Sequence, residues 1–179
     1  MDELIDIVNL KGEPTGNACM KSFAHQNGIL HASVHCWFYN KQGEILIQKR
    51  AKNKDIYPDL WDVSVAGHIA SEENFTEAAI REIKEEINVI VLKQELIYKG
   101  IWEEKHQHSN GLIDHEIHHI FLIELKTELT NLTPQAEEVS DLKLVTLDYL
   151  ENNYTNTTSF VPHDLDYYQH IIKLLREAI

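Results

Sequence analysis

The chain is poor in cysteine, in basic residues and in long apolar runs, and each shortage closes off a class of function. Its 179 residues include two cysteines, Cys19 and Cys36, too few for a disulfide framework. The opening Met-Asp-Glu-Leu-Ile-Asp has neither the basic start nor the apolar stretch of a signal peptide, so a cytoplasmic location is expected. Lysine and arginine number 16 against 29 acidic residues, a formal net charge of −13 with histidine neutral. That balance disfavours nucleic acid and anionic membrane as partners, and any phosphate substrate needs local help. No apolar run approaches the roughly 18 residues of a spanning helix. There is no internal repeat, low-complexity tract or Pro/Gly linker, and 43% of residues are apolar. One domain over residues 1–179 is therefore expected.

What is present reads as an α+β fold with a mixed sheet. Residues to about Ser22, carrying Gly12, Pro14, Thr15 and Gly16, read as an irregular piece or an edge strand with a turn, within an N-terminal arm of about residues 1–28. Leu30 to Tyr39 and Glu44 to Lys49 flank turn residues Asn40 to Gly43, which predicts a β-hairpin. Arg50 to Asp59 reads as a loop, and Trp61 to Ala66 as a buried strand stopped by Gly67. Phe75, Ala78, Ala79, Ile83 and Ile87 recur at helical steps, and Asn88 offers a left-handed stop. Val89 to Ile101 and Asp114 to Leu125 read as strands joined by a His-rich loop. Leu142 to Thr146 reads as another, before a last helix from about Leu165 to Glu177 that Asp164 is placed to cap.

The chemistry concentrates in residues 67–89. On a helix advancing about 100° per residue, Glu82, Glu85 and Glu86 share an arc of about 100°. Glu86 overlaps the apolar stripe, where an unpaired carboxylate is costly. A divalent cation resolves that cost, and hard oxygen ligands suit Mg²⁺ or Mn²⁺. Composition alone favours a solvated helix face with ordinary charge pairs. The spacing decides between them. Gly-x5-Glu-x7-Arg-Glu-Ile-x-Glu-Glu-x-x-Val, at Gly67, Glu73, Arg81, Glu82, Glu85 and Glu86, resembles the motif of the Nudix hydrolase family. Asn88 stands where that family has glycine, and asparagine tolerates the same left-handed geometry.

The resemblance implies a mixed β-sheet sandwiched between helices (α/β/α), and cleavage of a diphosphate linkage by metal-activated water. It makes Glu82, Glu85 and Glu86 the metal ligands with the Gly67 carbonyl beside them, and Glu85, Glu86 and Glu116 the catalytic carboxylates. Glu73 and Arg81 become a structural ion pair. A small organic or nucleoside diphosphate is the implied substrate, and a homodimer is common in the family.

The segment His25 to Glu116 also resembles the branch of the superfamily that includes isopentenyl diphosphate isomerase. His25, His31, His68, Asp114 and Glu116 stand where that enzyme holds a metal, so a second divalent-metal site is implied. Arg50 and Lys54 stand where it has diphosphate contacts. Ala66 occupies the position of its catalytic cysteine, and a methyl group cannot carry a proton, so isomerase activity is not expected. A nucleotide-binding sensor without catalysis is the third reading, disfavoured by the full set of box carboxylates. The His-rich loop from His106 to Gly111, followed by His115, His118 and His119, matches no specific motif, and the loop is expected to lie over the site and help select substrate. Trp37 and Trp61 read as core, and no chemistry is assigned to Phe160-Val161-Pro162-His163-Asp164.

Overall fold

The computed structural model describes residues 2–179. In chain order its elements are β1 (Leu4–Val8), β2 (Pro14–Met20), α1 (Lys21–Asn27), β3 (His31–Tyr39), β4 (Glu44–Arg50), β5 (Trp61–Asp62), β6 (Val65–His68), α2 (Phe75–Ile87), β7 (Ile97–Gln107), β8 (Ile113–Glu124), β9 (Val139–Thr146), α3 (Leu147–Asn153) and α4 (Leu165–Ala178). β3 is the central strand. It runs parallel to β8 from His31↔Glu116 to Tyr39↔Glu124, and antiparallel to β6. β7 then adds antiparallel to β8. The mixed sheet expected from the sequence is what forms.

Strand alternation gives this sheet two different faces. One is apolar but for His119, which stacks on Phe75: Ala32, Val34, Cys36 and Phe38 of β3 and Ile117, Phe121 and Ile123 of β8 pack on Ala78, Ala79, Ile83 and Ile87 of α2. Complete burial of a side chain such as Ile83 contributes about 1.5–3 kcal/mol. The other face is divided along its length. Trp37, Ile120 and Leu122 pack under Tyr167, Ile171 and Leu175 of α4. Toward the other end, the same face of β3 and β8 carries His31, Ser33, His35, Glu116 and His118, all of which are buried or nearly so. A sheet between helices therefore has one polar, uncovered end.

α2 forms where the periodicity predicts it. Asn74 Oδ1 accepts the Thr76 N–H at its start, and Asn88 ends it in the left-handed conformation at φ 57°. Other expectations are corrected. β3 and β4 make a hairpin only at its turn, pairing at Tyr39↔Ile45. They then part, and β4 pairs with β9 from Glu44↔Thr146 to Arg50↔Val139. Ser64 stands in the opening, accepting from the Phe38 N–H at 2.9 Å and donating to the Leu46 carbonyl at 2.5 Å. Its position divides the expected Trp61 to Ala66 strand into β5 and β6, and β6 continues through Gly67 to His68. Residues 89–96 are not a strand. They follow the Asn88 reversal through a short 3₁₀ turn at Lys93–Glu95, and pairing begins at Ile97. The N-terminal piece is an antiparallel β1–β2 hairpin. The seven-residue helices α1 and α3 were not anticipated, because neither is long enough to show a helical period.

Candidate active site

α2 carries its carboxylates to the end of β6. Arg81 donates to both Glu73 oxygens, at 2.8 and 2.7 Å, and to the His68 carbonyl at 3.0 Å, which fixes the helix against the strand. The same guanidinium reaches Glu82 at 2.7 Å and Glu85 at 3.3 Å. Gly67 is required here by space, since a Cβ on it would lie 2.0 Å from Glu82 Cδ. Glu86 is 5% exposed and lies between two strands, accepting from Gln48 Nε2 of β4 at 3.2 Å and from the Ala66 N–H at 3.3 Å. Burial pushes the Glu82 carboxyl up to about 7 against the pull of Arg81. Burial, reinforced by the neighbouring Glu82, pushes Glu86 well above the usual carboxylate range. Glu85 is half-exposed. A buried carboxylate and a largely buried one, beside an exposed third, are a donor set that fits a hard divalent cation.

A second cluster closes one side of the same cleft. His25 from α1, His31 at the start of β3, His68 at the end of β6 and Glu116 of β8 bring four ligand atoms within 4.8 Å of one another. Glu116 Oε1 lies 3.6 Å from His31 Nε2 and 3.5 Å from His68 Nε2. Burial is outweighed by the approach of these two imidazoles, which holds the Glu116 carboxyl well below its ordinary value. Burial depresses His68 to about 4. His31 Nδ1 donates to the Ile29 carbonyl at 2.8 Å, leaving a buried Nε2 with no hydrogen-bond partner. These features fit a metal as well. Asp114 is outside the converging four and instead holds His25 Nδ1 at 2.5 Å, with His108 on its other oxygen at 2.9 Å.

The two clusters line one cleft of ≈ 930 Å³. Arg50 and Lys54 line it too, but each is already engaged: Arg50 with Asp62 at 3.2 Å and the Ile56 carbonyl, Lys54 with Glu138. Ala66 sits in the wall where a reactive side chain would face the cleft. Sequence reasoning missed Gln48, Asp62, Glu104 and His163, all brought here by tertiary structure. Burial lowers His163, but the Glu104 charge and the Asp62 hydrogen bond outweigh it and raise the ring to about 10. Alternation along β7 was a usable signal for Glu104, which pairs directly with Glu116 across the strands. Trp37 is core, and Trp102 stacks on His170. The Asp164 side chain makes no cap.

The NUDIX domain profile matches residues 29–167, which take in the carboxylates of α2 and all of the histidine cluster except His25. The chain belongs to the Nudix hydrolase family. Enzymes of this family act as pyrophosphohydrolases on acid anhydrides. An uncharacterised Nudix hydrolase of Clostridium acetobutylicum is 31% identical over 98% of each chain. An isopentenyl-diphosphate Delta-isomerase of Escherichia coli is 30% identical over 78% of this chain and 71% of its own. Among solved structures, a Deinococcus radiodurans protein superposes with a TM-score of 0.67 at 20% identity over 98% of each chain. The MutT protein of Methanosarcina mazei gives 0.61 at 17% identity, over 79% of this chain and 91% of that one. Both share the Nudix fold. No described helix is long and apolar enough to cross a membrane.

Proposed function

We propose that this Nudix protein is a cytoplasmic, Mg²⁺- or Mn²⁺-dependent hydrolase that cleaves the diphosphate linkage of a small organic or nucleoside diphosphate. The observation that carries this reading is the pair Glu82 and Glu86 at the mouth of β6, Glu86 buried and Glu82 nearly so, with the Arg81 cation beside them shared among Glu73, Glu82 and Glu85. Glu82, Glu85, Glu86 and the Gly67 carbonyl are the proposed metal ligands. A divalent ion there supplies neutralisation of phosphate oxygens and acidification of water. Arg81 and Glu73 keep the helix in register with β6, so the three carboxylates present a fixed geometry. Gln48 and the Ala66 N–H orient Glu86 from the opposite side. Arg50 and Lys54 bind the diphosphate by exchanging their present carboxylate partners for phosphate oxygens. Glu116, held ionised, is the proposed distal base, and His25, His31, His68 and Glu116 the proposed second metal site.

Phosphorus NMR of the protein with Mg²⁺ and a panel of nucleotide sugars, dinucleotides, nucleoside triphosphates and isopentenyl diphosphate tests this. Paired phosphate-containing products from one class support the hydrolase and name that class. Binding of a nucleotide by calorimetry with no cleavage across the panel contradicts it in favour of a sensor.

A further inference from the structure

Beyond the carboxylate box and the four-residue histidine cluster, the lining of the cleft holds a third constellation. Glu104 Oε2 lies 2.6 Å from His163 Nδ1 and 3.1 Å from His118 Nε2, and the three ligand atoms fall within 4.8 Å of one another. Each of the three residues is pinned from behind by a different group. His163 Nε2 meets Asp62 Oδ1 at 2.9 Å. His118 Nδ1 meets Ser33 Oγ at 2.7 Å. The second oxygen of Glu104 accepts the Asp164 N–H and has His106 Nε2 3.1 Å away. These side chains are nearly inaccessible, at 3% for Glu104, 5% for His118 and 9% for His163.

That arrangement is what a metal requires of its ligands: one nitrogen of each imidazole turned inward, the other fixed by a carboxylate or hydroxyl that sets its tautomer and orientation. A tetrahedral ion bound at 2.0–2.1 Å sets its donors about 3.3 Å apart. The observed 2.6 and 3.1 Å contacts to Glu104 fall short of that spacing and open slightly around an ion. The chemistry of the donors differs from that of the box. Two imidazoles and one carboxylate favour a borderline transition-metal ion, whereas Glu82, Glu85 and Glu86 offer oxygen alone. Nor is this the cluster around Glu116, which shares none of these three residues. His118 is the link between them, its Nδ1 3.6 Å from Glu116 Oε2.

We propose that Glu104, His118 and His163 form a separate site for a divalent transition metal, Zn²⁺ above all, with its remaining coordination positions open to the cleft. Without a metal, the same residues are a protonated His163 clamped between Glu104 and Asp62, and the experiment distinguishes the two.

Co²⁺ serves as the optical probe for Zn²⁺. It is titrated into full-length protein carrying His25→Asn, His68→Asn, Glu82→Gln and Glu86→Gln, so that the other two clusters are disabled. The expected result is one equivalent of Co²⁺ with a visible ligand-field band that Zn²⁺ displaces. The band is lost in His163→Gln added to that background. His106→Asn removes an outer partner at the edge of the cleft and weakens affinity by about 10-fold or more. It keeps the test open should His163→Gln fail to fold, as judged by circular dichroism. No band in the background protein, or affinity unchanged in a folded His163→Gln or in His106→Asn, overturns the site and leaves an ion-pair clamp alone.

Discussion

Gly67 and Glu82 compete for the same few cubic ångströms: the hydrogen of Gly67 faces the Glu82 carboxylate, and a Cβ in its place would sit 2.0 Å from Glu82 Cδ and 2.2 Å from Oε1. The glycine is therefore a requirement of the site rather than of the backbone. Gly67→Ala is expected to leave a folded protein with Glu82 displaced by an ångström or so. Such a misplacement costs about 100-fold in rate. Initial hydrolysis rates and far-UV circular dichroism on the same sample check it.

The buried carboxylates predict opposite effects on stability and activity. Burial pushes the Glu82 carboxyl up to about 7 from its ordinary 4.5, and burial also pushes Glu86 well above the usual carboxylate range. A raised acid favours its neutral form in the folded protein. Metal-free protein is thus most stable below pH 4.5 as far as these groups decide, and loses stability as pH rises from 4.5 through 7. In EDTA at pH 7, Glu86→Gln should melt higher than wild type while losing activity. Added Mg²⁺ should raise the melting temperature of wild type and leave that of the variant nearly unchanged. Calorimetric melts at pH 5 and 7, with and without Mg²⁺, read this directly.

Arg81 anchors α2 through Glu73 and the His68 carbonyl. The Glu73 carboxyl sits below its ordinary value, burial being outweighed by the Arg81 hydrogen bonds. A depressed acid stabilises above its unfolded pKa and loses that contribution as pH falls through the folded one. Glu73→Gln should cost about 1–2 kcal/mol at pH 7, because charged hydrogen bonds at a partly solvated site are worth that order. The difference from wild type should shrink toward pH 3. Urea unfolding at the two pH values tests it.

Ala66 sets a limit on the chemistry. Its methyl group lines the cleft between the box and the histidine cluster and can neither donate nor accept a proton. Isopentenyl diphosphate incubated with the protein in D₂O should show no deuterium at carbon by proton NMR. Exchange at a catalytic rate would place this chain with the isomerases.

Much of this architecture is legible in the residues. Phe75 to Ile87 spells out a 3.6 period, Asn88 a left-handed stop, and Gly67 to Glu86 a spacing that few sequences meet by chance. The helix is found as read, with Glu86 buried along it. Asp114 to Leu125 likewise reads as a strand, and β8 forms there, with Asp114, Glu116 and His118 all lining the cleft. Short elements carried no such signal. α1 spans two turns, yet it delivers His25 to His68 at 3.2 Å across 43 residues of chain. Glu104, Asp62 and His163 come from three separate segments, and each looks ordinary in its own surroundings. Only the parting of β3 from β4 and the approach of the chain before α4 bring them together. Local periodicity reports which face a residue takes, not which distant face it meets.

The central claim is that Glu82, Glu85 and Glu86 hold the ion on which hydrolysis depends. Initial rates against Mg²⁺ concentration, for wild type beside Glu85→Gln and Glu86→Gln on the substrate found by phosphorus NMR, test it most directly. The account predicts saturation in wild type, no turnover in EDTA, and folded variants whose rates fall by at least about 100-fold at every Mg²⁺ concentration. Wild-type rates in both variants would contradict it.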